Sequence, residues 1–348
     1  MTKFALIGGG WRAQMFLKVA RELGTVRCAG VVVRSPRRLD VPSFTSLDAC
    51  LRELSLDFVL TATPRQVTPH VIVDAVERGL PVVAETPPAA DLDGLRALWS
   101  EAGDSRLVQV AEQYPMMPSH AARAALVASG AIGTPTQVQV SSTQQYHAVA
   151  LIRGLLAAGR GPVSVRATRF TAPLINPLSR TGWTDDEMAR PTTTTIATLD
   201  FEDGRSGLYD FTEQQTRNQL RFRRLTVRGS AGELHNDEVV RMTGPRTLVH
   251  TPLVRRQTGY DLDLAGYDTE HISFGSEVLY RNPYPGRRWM DDEIAMATLL
   301  ERTADWVRGE GPEPYPLAEG AQDQQIALAI EEAADSDTTV TTSREAWS

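Results

Sequence analysis

The chain has 348 residues, 42 % of them apolar, and a formal net charge of −7. That length suits two domains with sizeable cores, and the acidic balance argues against a nucleic-acid-binding surface. Cys28 and Cys50 form no C-x-x-C pair, so buried thiols in a reducing compartment are expected rather than a zinc site or a disulfide. No secretory leader and no run of the ~18 apolar residues a membrane helix needs can be read, so a cytoplasmic protein with no membrane partner is expected.

In chain order, the first 120 residues alternate between two periodicities. Short apolar strands are predicted at Phe4–Ile7, Cys28–Val33, Phe58–Ala62, Pro81–Ala84 and Leu107–Ala111. Helical spacing is predicted at Trp11–Leu23, Leu47–Leu54, Val67–Arg78 and Leu92–Ala102. Strands that are apolar throughout and alternate with helices imply a parallel sheet covered on both faces. Beyond residue 120 the pattern changes. Helices at Ser119–Ser129 and Tyr146–Ala158 flank a half-buried strand at Thr136–Ser141. Long alternating strands then dominate from Val163 to about Tyr280, with Asp203-Gly204 as a hairpin turn. A mainly antiparallel sheet with one solvated face follows. Asn176–Pro191 reads as a mobile loop, and helices at Asp291–Arg308 and Leu317–Ala334 close the chain. The expected organisation is α/β, with a parallel-sheet domain over 1–120 and a second domain with a large, mainly antiparallel sheet over 121–348.

The strongest motif is Gly8-Gly9-Gly10-Trp11-Arg12-Ala13, a G-x-G-x-x-A string between a strand and a helix. Gly8 permits the tight turn, Gly10 lets backbone approach a pyrophosphate, and Ala13 lets the helix lie close to the sheet. The amides and dipole of the helix start, at Trp11 and Arg12, then hold the phosphates. About 20 residues further on, an acid usually takes the ribose 2′-hydroxyl. Here Val33 is followed by Arg34-Ser35-Pro36-Arg37-Arg38, with no acid. Arg34, Ser35 and Arg38 suit a 2′-phosphate, so NADP is favoured, with NAD as the alternative.

With that turn, four further strings resemble the Gfo/Idh/MocA family of sugar and inositol dehydrogenases. They are Thr61-Ala62-Thr63-Pro64, Ala84-Glu85-Thr86-Pro87, Ala111-Glu112-Gln113-Tyr114 and Ser129-Gly130-Ala131-Ile132-Gly133, followed by a helix start at His147. The resemblance implies an N-terminal Rossmann parallel sheet and a C-terminal α/β domain with an open-faced sheet. It also implies NAD(P)-dependent hydride transfer on a sugar-like or other polar carbonyl or hydroxyl compound. Thr63, Pro64, Glu85, Thr86, Pro87 and Gln113 join the coenzyme set by that resemblance. A homo-oligomer, dimer or tetramer, through the open sheet face is implied as well.

The family pattern also breaks. Its Glu-Lys-Pro lysine, which usually helps to move the hydroxyl proton, is Thr86, which donates a hydrogen bond but is no acid or base near neutral pH. Thr68 stands for a usual histidine, and the aspartate that follows the family histidine is missing after His147. The catalytic candidates are therefore His147 and Tyr114 for the proton, with Thr86 as a donor. Two other readings stay open: a glycosidase with NAD that is not consumed, and a dinucleotide-binding protein without catalysis. Asp291 and Asp292 read as a helix start, where the dipole favours acids.

Overall fold

The computed structural model describes residues 1–35, 40–259 and 266–348. They form two compact units, one of 1–117, 289–324 and Trp347, the other of 118–288, 325–346 and Ser348.

The first unit runs β1 (Thr2–Ile7), α1 (Trp11–Glu22), β2 (Val26–Val32), β3 (Ser43–Phe44), α2 (Leu47–Glu53), β4 (Phe58–Thr61), α3 (Thr68–Glu77), β5 (Val82–Ala84), α4 (Leu92–Ala102) and β6 (Val108–Val110). The strands are parallel, in the order β3-β2-β1-β4-β5-β6. Phe4, Leu6, Phe58, Leu60, Val82 and Val83 are fully buried, as continuous apolar strands between two helical layers require. Side chains cap two of the helices: Ser46 accepts from the Ala49 amide, and Asp91 from the Gly94 amide. The strand order reverses direction between β1 and β4, which makes the carboxyl ends of these strands the crevice where such sheets bind nucleotides.

The second unit begins with α5 (Pro118–Ala128), β7 (Pro135–Ser141), α6 (Gln145–Leu156) and β8 (Val163–Leu174). β9 (Leu178–Ser179) and β10 (Gly182–Trp183) pair within the segment read as a loop. Then come β11 (Arg190–Phe201), β12 (Ser206–Thr212), β13 (Arg224–Gly229), β14 (Gly232–His235), β15 (Glu238–Gly244), β16 (Thr247–Thr258), β17 (Asp268–Phe274) and β18 (Glu277–Arg281). Together with β19 (Val340–Thr341) the described residues build an eleven-stranded sheet, ordered β18-β17-β16-β15-β14-β13-β7-β12-β11-β8-β19. Its pairs are antiparallel apart from β7 with β12. Alternation decides its faces: Val138, Val140, Val227, Leu234 and Val239 are buried on one side. The opposite side leaves Phe170, Val240, Met242, Leu248 and Val254 exposed.

Near residue 289 the chain rejoins the first unit as α7 (Asp291–Val307). Ile294, Ala295, Met296, Leu299 and Leu300 are fully buried there. Lys18 of α1 pairs with Glu293, and the Trp289 indole donates to Glu22 at 3.1 Å. Residues 289–324 therefore count with the N-terminal unit, whereas the sequence reading placed everything past 120 in the second domain. The periodicity of a helix is local; the partner it docks against is not. The link before α8 (Leu317–Ser336) lies along β6, where Val110 donates to the Tyr315 carbonyl at 2.8 Å and Gln109 bridges to Pro316. That contact covers a sheet edge that would otherwise be bare. Among the described residues no helix is long and apolar enough to cross a membrane, and no cluster of metal-binding side chains occurs.

Candidate functional site

The candidate site is built from the turns after β1, β4, β5 and β6 of the first unit. Gly8 sits at φ +125°, and a Cβ there would lie 2.3 Å from the Ala62 carbonyl oxygen. Only glycine lets the β1 turn run this close to the end of β4. Gly10 is the residue before α1, at φ −76° and ψ −174°, and as a glycine it brings no side chain to cap the helix. A Cβ at Gly10 would meet nothing within 4 Å, so the approach to the first turn is open. Ala13 is 1 % exposed against the sheet. A helix start led by Gly10, beside open space and a pinned glycine turn, fits a dinucleotide diphosphate held by main-chain donors and the helix dipole.

Arg12 turns to protein partners. Its Nε donates to Glu85 Oε1 at 3.0 Å and its Nη1 to Asp292 Oδ2 at 3.0 Å. The guanidinium lies 5.9 Å from the ring centres of Trp11 and Phe16. Burial disfavours its charge, but the carboxylates of Glu85 and then Asp292 outweigh burial and raise its pKa above the ordinary value. Trp11 is half exposed. Asp292 carries the network onward, because its Oδ1 accepts from Gln113 Nε2 at 3.2 Å. Gln113 is 1 % exposed, and its Oε1 has no hydrogen-bond partner among the described residues.

After β4, the Thr63 and Thr68 hydroxyls lie 2.9 Å apart, and the Thr68 hydroxyl also reaches the Thr63 and Pro64 carbonyls. Pro64 is exposed at this turn. After β5, the Glu85 amide donates to the Thr61 carbonyl, and Thr86 and Pro87 are half-buried across a cis peptide. After β6, the Tyr114 amide donates to Glu112 Oε1 at 3.0 Å, at the start of a single 3₁₀ turn. Arg34 and Ser35 are exposed just past β2. Arg38 lies outside the described residues.

His147 belongs to the second unit, at the third position of α6, with its ring edge-on to Tyr146 at 5.5 Å. Just before that helix, Thr143 is fully buried and its hydroxyl has no hydrogen-bond partner among the described residues. Elsewhere in this unit Asn176, Asp186, Arg190, Glu213 and Asn218 line a cleft of about 210 Å³. Arg190 pairs with Asp186 at 2.7 Å and Arg224 with Asp210 at 3.0 Å.

The first unit thus gathers the glycine turn, Thr63, Pro64, Glu85, Thr86, Pro87, Gln113 and Tyr114 at the strand ends, as the motif order implied. Sequence reasoning missed Asp292 as a member of this group. Its position in an acidic helix start was already explained, and its partner Arg12 lies 280 residues away in sequence. Thr143 carried no signal that set it apart from an ordinary threonine.

Residues 2–113 match the model of the Gfo/Idh/MocA oxidoreductase family, described as an NAD-binding Rossmann fold. This domain belongs to the Gfo/Idh/MocA family. No curated protein matches the chain in sequence. Among solved structures, an oxidoreductase from Agrobacterium radiobacter, in complex with NAD+, L-tartaric acid and magnesium, superposes with TM-score 0.72 at 17 % identity over 97 % of this chain and 98 % of that one. A myo-inositol dehydrogenase from Corynebacterium glutamicum gives 0.66 at 20 % over 98 % of both chains. A UDP-N-acetylglucosamine 3-dehydrogenase from Acidithiobacillus ferrooxidans gives 0.66 at 16 % over 96 % of this chain and 98 % of that one. At these identities the likeness is one of fold. A Gfo/Idh/MocA Rossmann domain followed by a mainly antiparallel open-faced sheet is the architecture here.

Proposed function

We propose that this protein is an oxidoreductase that moves a hydride between a nicotinamide dinucleotide and a polar, sugar-like carbonyl or hydroxyl compound. The observation that carries this reading is the β1–α1 turn: Gly8 is pinned against Ala62, and Gly10, with no side chain of its own, leaves open space before the first turn of α1. Gly8, Gly10 and the first turn of α1 would hold the diphosphate, with Thr63, Pro64, Glu85, Thr86, Pro87 and Gln113 around the rest of the coenzyme. The nicotinamide ring supplies the hydride-carrying carbon. NADP(H) is the favoured form and NAD(H) the alternative. In support, Arg34 and Ser35 are exposed past β2, and the sequence from Arg34 to Arg38 holds no acid.

The chain's own residues divide the remaining work. The Thr86 hydroxyl can donate a hydrogen bond but cannot exchange a proton near neutral pH. The Tyr114 phenol and the His147 imidazole are side chains of the types that serve as general acids and bases, so they are assigned the hydroxyl proton. A polyol and sugar panel followed by nicotinamide absorbance tests the assignment. Turnover is expected with at least one compound, and a large loss of kcat is expected in His147→Ala or Tyr114→Phe. Coenzyme binding with no turnover on any compound favours a protein without catalysis. Turnover with no net absorbance change favours the glycosidase reading.

The open sheet face is proposed to receive a second copy of the chain. Val240 and Met242 stand opposite His250 and Leu248, so a strip with Val254 presents apolar side chains to solvent. Light scattering at the mass of a monomer across micromolar concentrations would remove that proposal.

A further inference from the structure

An amide side chain has one end that accepts and one that donates, and the hydrogen bonds around it decide which way it faces. Gln113 has only one direction open to it. Asp292 is an acceptor, held by Arg12 through Oδ2 at 3.0 Å, and its Oδ1 faces Gln113 Nε2 at 3.2 Å. Turning the amide over would set two oxygens against each other. The carbonyl end, Oε1, therefore points away from Asp292, and it is a buried acceptor with no donor among the described residues. Buried amide oxygens in native proteins are almost always matched by a donor. Gln113 also stands at the end of β6, on the β4–β5–β6 side of the point where strand order reverses. The adenosine ribose of a dinucleotide is read at the end of β2, so the nicotinamide half falls on the β6 side.

Resting on the coenzyme reading above, we infer that Asp292 is a positioning residue. It fixes the Gln113 amide so that Oε1 accepts from the carboxamide N–H of the bound nicotinamide. Arg12 anchors Asp292 and thereby links the glycine turn to the acceptor that selects the carboxamide.

The test is calorimetric binding of the oxidised coenzyme and of its 3-acetylpyridine analogue, in which a methyl ketone replaces the carboxamide and the N–H is lost. Wild type is expected to bind the parent coenzyme about tenfold more tightly than the analogue, the size of one well-made hydrogen bond. Asp292→Asn offers a donor to Oε1, so Gln113 can turn over, and the preference is expected to fall below about twofold. Gln113→Met keeps the side-chain length and leaves the Arg12–Asp292 pair intact, so it separates loss of the acceptor from any folding defect. It is expected to lose the preference as well. A wild type that does not discriminate, or a preference that survives in Asp292→Asn, overturns the inference while leaving coenzyme binding standing. If Gln113→Met instead raises only the KM of the substrate, the donor is a substrate hydroxyl and the inference fails. No binding of either compound to wild type sinks the coenzyme reading itself.

Discussion

Gly8 and Gly10 sit two residues apart and do different things. Gly8 is structural: positive φ and a 2.3 Å approach to the Ala62 carbonyl leave no room for a methyl group. Gly8→Ala is expected to cost about 2 kcal/mol or more of stability, measured by urea unfolding. Gly10 has ordinary φ and open space, so a side chain there touches nothing of the protein. The motif was legible at this scale because each glycine requirement is local. The direction of Arg12 was not. From sequence it reads as part of a phosphate-binding helix start, yet its guanidinium lies between Glu85 and Asp292. Nothing in a local window announces a partner 280 positions away.

Among the elements, α7 shows what periodicity reveals and what it hides. The strands and helices of the first unit fall close to their expected places, because apolar runs and 3.6-residue spacing are written directly into the chain. Where α7 docks is set by Lys18–Glu293, Arg12–Asp292 and the indole of Trp289 on Glu22. Those pairs join residues that only the fold brings together. Removing the cation at their centre leaves two partly shielded carboxylates facing each other. Arg12→Met is expected to lower stability by about 2 kcal/mol, less than for a fully buried pair because the carboxylates keep some solvent. Arg12→Lys is expected to recover only part of it, since one ammonium does not reproduce the guanidinium fork. Urea denaturation midpoints of the three proteins, followed by tryptophan fluorescence, check both statements.

For the whole molecule, the two units respond to different conditions. In the second unit His120 of α5 is buried beside Arg123, and burial first, then that charge, pushes its pKa down to about 3. Folding therefore favours the neutral ring. The stabilisation is full above the unfolded value near 6.5 and is lost as pH falls from there towards 3. Between pH 7 and pH 5 this single group is expected to remove about 2 kcal/mol. Urea unfolding at the two pH values checks it, and His120→Leu is expected to flatten the difference. The first unit owes its expected ligand response to the β1–α1 turn instead. The most direct test of the account is calorimetric titration of wild type and Gly10→Val with NADP(H) and NAD(H). One coenzyme per chain is expected to bind wild type, with NADP(H) tighter. Gly10→Val is expected to unfold at the wild-type temperature and give no binding heat. Absence of heat from wild type with both coenzymes, or unchanged affinity in Gly10→Val, would contradict it.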